Sequence, residues 1–269
     1  LKKNSLLFFV LFIATLSGCA STRVGGKTIQ ETFSSISVIS FVEAVSENNY
    51  IEADRLVSAG VDVNAIGSDG ISPLLWIMIT SLDTRKISYL LHVGANPNYR
   101  DAASETSAMY FAAGGNRLDI LETLLKNGGS PDLLGPRGES LLMVAASQFR
   151  KSNIDLLLRY GANINFHDQH NQTVANKAAA YGRFDWVVIF LNSGVNYNLQ
   201  GLARTVEIVK VPPTSEQQRW KNEVIEMLKA RGVNFPAFIP CYPPEDPRRK
   251  EENCSRFRSK PSAEVRTNH

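Results

Sequence analysis

The 269-residue chain carries 29 Lys and Arg against 26 Asp and Glu, a formal net charge of +3. That near-balance leaves no broad basic field to attract nucleic acid or anionic lipid, so neither is expected as a charge-recruited partner. The length suits one large domain or a linear array, and composition alone does not choose between them.

The chain opens with Lys2 and Lys3, followed by an uncharged, largely apolar stretch from Asn4 through Gly18. This is the layout of a secretory signal peptide. Its core, Leu6 to Leu16, is about half the ~20 residues that a membrane-spanning helix needs, so a stable transmembrane anchor is not expected. The stretch ends in Leu16-Ser17-Gly18-Cys19, which resembles the bacterial lipobox. The resemblance implies that residues 1–18 are removed as a lipoprotein signal peptide and that the nucleophilic sulfur of Cys19 carries diacylglycerol. The new amino terminus would be acylated, palmitate-like chains making the attachment effectively permanent. Ala20, not Asp, follows the Cys. The same resemblance then implies the periplasmic side of the outer membrane. Residues 19–37, with the small and polar run Gly25 to Ser35, are expected to be a lipidated tether.

Beyond the tether an internal repeat sets the fold. A Gly follows a Leu-rich segment and precedes a small residue and Asn or Asp, as in Leu90-Leu91-His92-Val93-Gly94-Ala95-Asn96-Pro97-Asn98 and Leu157-Leu158-Arg159-Tyr160-Gly161-Ala162-Asn163-Ile164-Asn165. The glycines stand at 60, 94, 128, 161, 194 and 232, at intervals of 34, 34, 33, 33 and 38. Each Gly is expected to close a helix in the left-handed conformation. The Asn or Asp after it can bond its own backbone and shape the next loop. An apolar-periodic helix lies before each Gly, for example Leu118 to Leu125. Ahead of that lies a helix rich in small residues, marked by Ala112-Ala113, Ala145-Ala146 and Ala178-Ala179-Ala180. Small residues permit close approach of neighbouring units.

With Asp69-Gly70-Ile71-Ser72-Pro73-Leu74-Leu75 as the best copy of the helix-start motif, and weaker copies at Gly138 to Leu142 and Gln172 to Ala175, the chain resembles ankyrin repeats. The family's motif His is replaced by Leu75, Tyr110, Met143 and Asn176. The resemblance implies an all-α solenoid of about six helix-turn-helix units over residues 38–235, followed by a Pro-rich charged C-terminal tail, 236–269. The first unit, with Asn48 and Asn49 in its helix connection, is expected to cap the array. In the sixth unit, Val211-Pro212-Pro213-Thr214-Ser215 predicts a longer loop between its helices.

Conventional chemistry is thin. Cys241 and Cys254 would be the remaining thiols after lipidation. An oxidising compartment permits a disulfide worth on the order of 3 kcal/mol, the alternative being two free thiols on the tail. His167 and His170 lack further ligands nearby, so no metal is expected. No catalytic, phosphate-binding or dinucleotide motif stands in the sequence, and neither enzyme activity, a cofactor nor a small-molecule substrate is expected. What remains is surface for a protein partner. The family's contact positions fall on Ser68, Asp69, Ile71 and Ile79, on Ser104 and Thr106, on Arg137, Glu139, Ser147 and Gln148, and on Gln169, His170, Gln172 and Tyr181. Trp76 and Trp186 are expected in the core. Lipobox and repeat array together resemble periplasmic immunity proteins that neutralise phospholipase effectors of type VI secretion, which implies steric inhibition of such an effector. A periplasmic scaffold docking envelope or oxidative-defence proteins is the alternative, since both need the same surface.

Overall fold

The computed structural model describes residues 22–237; the signal sequence, Cys19, Cys241 and Cys254 lie outside the described residues. Thirteen α-helices and a short 3-10 helix (Ser68–Gly70) occur among these residues, with β-structure limited to isolated bridges. Apart from a single-turn α1 (Ile29–Thr32), the α-helices form six consecutive pairs. The pairs are α2 (Ile36–Ser46) with α3 (Tyr50–Ser58), α4 (Pro73–Thr80) with α5 (Thr84–His92), and α6 (Ala108–Gly114) with α7 (Leu118–Lys126). Then come α8 (Leu141–Ser147) with α9 (Lys151–Arg159), α10 (Val174–Ala180) with α11 (Phe184–Asn192), and α12 (Leu199–Ile208) with α13 (Glu216–Ala230).

Each inner helix of the central units starts on a hydroxyl. Ser72, Ser107 and Ser140 accept hydrogen bonds from the N–H groups of Leu75, Tyr110 and Met143, satisfying donors that have no partner inside a helix. At Thr173 the Asn176 side chain reaches back to accept from the Thr173 N–H at 2.9 Å, closing the start of α10 from the other side. The alanines that follow, among them Ala113, Ala145, Ala146, Ala178 and Ala179, are fully buried and bring successive inner helices together. Outer helices contribute the volume through Ile87, Leu90, Leu121, Leu124, Leu157 and Phe190, all essentially inaccessible. Truncating one such Leu to Ala costs about 2–5 kcal/mol. Trp76 and Trp186 are buried, as their spacing predicted. The repeat glycines all have φ between 81° and 99°, the left-handed helix end that the sequence demanded.

The prolines act as expected: residues 209–215 form the loop between α12 and α13, and Ser215 caps α13. The amino-terminal side differs from expectation. From residue 22 the segment read as tether is folded onto the first two units. Val24 and Lys27 close a turn by mutual backbone hydrogen bonds, α1 follows with a Thr28/Glu31 capping box, and Val24, Ile29 and Phe33 are buried. The Phe33 ring meets Trp76 edge-on, centroids 6.2 Å apart. Gly67 is needed beneath this cap, because a Cβ there would lie 2.6 Å from the Thr32 carbonyl oxygen. Three apolar residues at spacings of five and four carry the whole cap, too sparse a pattern to stand out from a polar run.

Candidate functional site

The solenoid has two ends to every unit. At one, the chain leaves an outer helix and crosses to the next unit through an extended finger; at the other, a tight turn joins inner to outer helix.

The finger end is held by a polar ladder. Asn64 Nδ2 donates to the Gly94 carbonyl at 2.9 Å while its Oδ1 accepts from the Asn96 N–H at 2.7 Å. Asn98 does the same with Gly128 and Ser130, and Asn165 with Gly194 and Asn196. At three of the repeat glycines, 60, 94 and 161, the residue four on therefore clips its unit to the next, beyond the local turn that the sequence pattern indicates, whereas Asn198 donates instead to the Asn171 carbonyl. Asp132 accepts from the Asn163 N–H at 2.7 Å, but a carboxylate has no proton to offer the Gly161 carbonyl.

Several predicted contact residues are occupied by this architecture. Ser68 donates to the Glu31 carbonyl, and Asp69 pairs with Lys27 at 2.7 Å, so the amino-terminal cap covers the second unit's finger. Ile71 is half-buried against the core. Glu139 is buried, accepting from the Arg137 N–H at 2.8 Å and pairing with its guanidinium, so it braces its own finger. Ser104 and Thr106 bond each other beside Asp101, whose carboxyl is held below its usual pKa chiefly by Ser104. Ser147 donates to the Val144 carbonyl and is half-buried. In the fifth unit, burial pushes the Asp168 carboxyl up, but the Gln172 N–H, the Lys177 ammonium and the His170 N–H outweigh it, and its pKa is lowered. Gln172 is thereby tied to this brace. His167 stacks on Tyr197 at 3.9 Å, and His170 is exposed near Asp168. Among the described residues no three His, Cys, Asp or Glu gather as a metal site. Asp69, Ser104, Arg137, Gln148, Gln169 and His170 are exposed, with Ile79 and Tyr181.

Ile79 and Tyr181, both expected contact positions, stand among exposed apolar side chains of which the others were not singled out in the sequence. Ten large apolar side chains are exposed among the described residues; besides Ile36 at the start of α2, six stand along or just after inner helices: Ile79, Leu82, Phe111, Phe149, Tyr181 and Ile208. They mark an apolar ledge at the helix-turn end, in two contact groups, one around the Phe111 cleft and one of Phe149 with Tyr181. Ile79, Leu82 and Phe111 line a cleft of about 160 Å³ with Arg117 and Ile120. Phe149 lies 5.6 Å from Tyr181 and 6.1 Å from Trp186, ring to ring, and the Arg183 guanidinium sits 4.2 Å over Trp186. The buried Trp186 indole N–H has no acceptor among the described residues. Leu82 and Phe149 have φ of 49° and 56°, left-handed geometry that a bulky side chain adopts only at a cost of about 1 kcal/mol or more. Beneath the ledge, Asn153 donates to the carbonyls of Ala112, Ala113 and Gly115, and Lys86 to that of Ser46, so outer helices satisfy the ends of the preceding inner ones.

Residues 109–201 match the family model "Ankyrin repeats", in three copies. The array is an ankyrin-repeat solenoid. Similar curated proteins include a putative ankyrin repeat protein, L92, of Acanthamoeba polyphaga mimivirus, 29% identical over 106 residues that make up 38% of this chain and 24% of the relative. The human ankyrin repeat and SOCS box protein 14 is 30% identical over 143 residues, 53% of this chain and 24% of the relative. A putative E3 ubiquitin-protein ligase of Arabidopsis thaliana, XBAT31, is 34% identical over 106 residues, 38% and 23% of the two chains. The chain spans about a quarter or less of the length of the first curated relatives it matches.

Ankyrin repeats make this a protein-interaction module. The signal that could have revealed the ledge lies in the turn between helices: Leu82 and Phe149 hold a left-handed position that Gly182 fills in the fifth unit. A bulky apolar residue where geometry favours Gly marks a side chain kept for something other than the fold.

Proposed function

We propose that this protein is a lipid-anchored periplasmic binding module that protects its cell by covering the active-site entrance of a toxic, phospholipase-type secretion effector. The observation that carries the binding part is the ledge: exposed apolar side chains in two groups along the solenoid, two of them at strained positions. Such a patch on an otherwise satisfied surface favours a protein partner. The Leu16-Ser17-Gly18-Cys19 sequence supports the location, since a diacylated Cys19 would hold the module at the membrane face where a lipase meets its substrate. Inhibition by this route is steric and needs no catalytic group.

Two measurements test it. Metabolic labelling with palmitate should mark the wild-type chain and not Cys19→Ala, which should move from the membrane to the soluble periplasmic fraction. Co-expression with the effector encoded beside it should restore growth, and the pair should co-purify; absence of both complex and protection overturns the reading.

A further inference from the structure

Several outer helices open on a charge pair of their own. In the third unit Arg117 Nε and Nη2 donate to the two Asp119 oxygens at 2.9 and 2.6 Å, and in the fifth Arg183 holds Asp185 in the same way at 3.0 and 2.7 Å. The second unit makes the pair in reverse order, Asp83 with Arg85 at 3.0 Å. The fourth unit keeps the arginine and lacks the acid. Arg150 stands 33 residues from both Arg117 and Arg183, but Ser152 occupies the place of Asp119 and Asp185. A hydroxyl offers the guanidinium fork one uncharged oxygen where a carboxylate offers two charged ones. Arg150 Nε donates to the Gly114 carbonyl at 3.2 Å instead, and among the described residues no carboxylate pairs with it.

That unmatched charge lies between the two apolar groups of the ledge. Gly114 ends α6, three residues after Phe111 and directly before Gly115, which lines the Phe111 cleft. On the other side Phe149 immediately precedes Arg150 and packs against Tyr181. The acids of this stretch are already taken, Asp119 and Asp185 by their own arginines and Asp155 by Lys151 at 2.8 Å. Arg150 is half-buried, so water competes less for its remaining donors than it would at a free surface. A planar fork with donors to spare, set among exposed apolar side chains, is suited to a carboxylate brought by another molecule.

We infer that the ledge takes a protein partner whose contact segment carries an Asp or Glu between apolar side chains. The carboxylate completes on Arg150 the fork that Asp119 and Asp185 complete in the neighbouring units, while the apolar side chains enter the Phe111 cleft and rest on Phe149 and Tyr181. Helices pack about 8–10 Å apart and an extended chain rises about 3.3 Å per residue, so apolar residues about three apart on the partner reach adjacent units. The charge supplies selectivity, because a basic residue at that point meets Arg150 as a like charge. The inference rests on the reading of the ledge as the partner-binding surface and is independent of the lipid anchor and of the effector's class.

Panning a random-peptide display library on the full chain tests it, with synthetic copies of the selected peptides measured by fluorescence anisotropy. The selected sequences should carry Asp or Glu flanked by apolar residues. Ser152→Asp supplies the missing acid from within and should weaken these peptides roughly tenfold, the scale of a lost charge-assisted hydrogen bond. The new carboxylate stands in the first turn of α9, where negative charge is stabilising, so the variant should melt at or above the wild-type temperature and weaker binding is not lost fold. Replacing the peptide's acid by its amide should cost the same factor against wild type and little against Ser152→Asp. Phe149→Ala/Tyr181→Ala should also weaken binding, whereas Gln169→Ala/His170→Ala at the fingers should not. Peptides without an acid, or acidic peptides indifferent to Ser152→Asp yet lost on Phe149→Ala/Tyr181→Ala, overturn the inference and leave the ledge as the binding surface. Peptides lost only on Gln169→Ala/His170→Ala overturn both. A library that yields no peptide dependent on the ledge overturns the inference as well.

Discussion

The two ends of the solenoid are built on opposite principles. At the finger end the residues that define the repeat do the joining: Asn64, Asn98 and Asn165 each clip one unit to the next through backbone groups that every unit possesses. At the helix-turn end the joints are individual, Lys86 in one place and Asn153 in another, and the surface above them is apolar and partly strained. Repetition therefore marks what holds the array together. Departure from repetition marks what the array is free to use.

That contrast can be broken by measurement. The largest effect should come from Asn153→Ala, which leaves buried carbonyls of the third unit without a donor; about 2–3 kcal/mol of stability should be lost in urea unfolding. Next, Asn98→Ala should cost about 1 kcal/mol, since water reaches the finger end and replaces part of what is lost. Either variant proving neutral would remove the corresponding joint from the account. By contrast, Leu82→Gly should leave stability within about 1 kcal/mol of wild type or raise it, because relief of left-handed strain offsets the lost apolar contact. The same substitution should weaken partner binding, and a large destabilisation would make Leu82 structural. Acid provides a subtler probe. Asp168 has a folded pKa below its unfolded value, so its contribution is fully present above the unfolded pKa, about 3.9, and is lost as pH falls through the folded value. Asp168→Asn should accordingly flatten the fall in stability below about pH 4.

Much of the fold was legible because a Gly at a left-handed helix end, an Asn four residues on and alanines on the inner helix are each required by backbone geometry or close packing. Such requirements recur, and recurrence is visible in one sequence. The candidate site was legible only in part. Carrying contact positions across by motif placed Asp69 and Glu139 at the surface; Asp69 is exposed there but paired with Lys27, whereas Glu139 is buried beside Arg137. No motif records that a neighbouring segment folds over a finger. Phe149 went unnoticed because its meaning lies in a φ of 56° and in rings from the next unit, neither of which a repeat pattern displays.

Asp132 gives the array a mechanical grain. Its carboxylate makes half of the clip that Asn64, Asn98 and Asn165 make, so at the seam between the third and fourth units that clip supplies one hydrogen bond instead of two, beside the bond from Arg100 to the Gly135 carbonyl. On the opposite side that same seam is bolted by Asn153 and by Arg150, which donates to the Gly114 carbonyl. A joint with fewer bonds along one edge than along the other would give first at the lighter edge, and this one divides six units into three and three. Bending there would spread or close the fingers while the apolar ledge, lying on the bolted side, keeps its shape. Asp132→Asn, by supplying the missing donor, should stiffen the array and add up to about 1 kcal/mol.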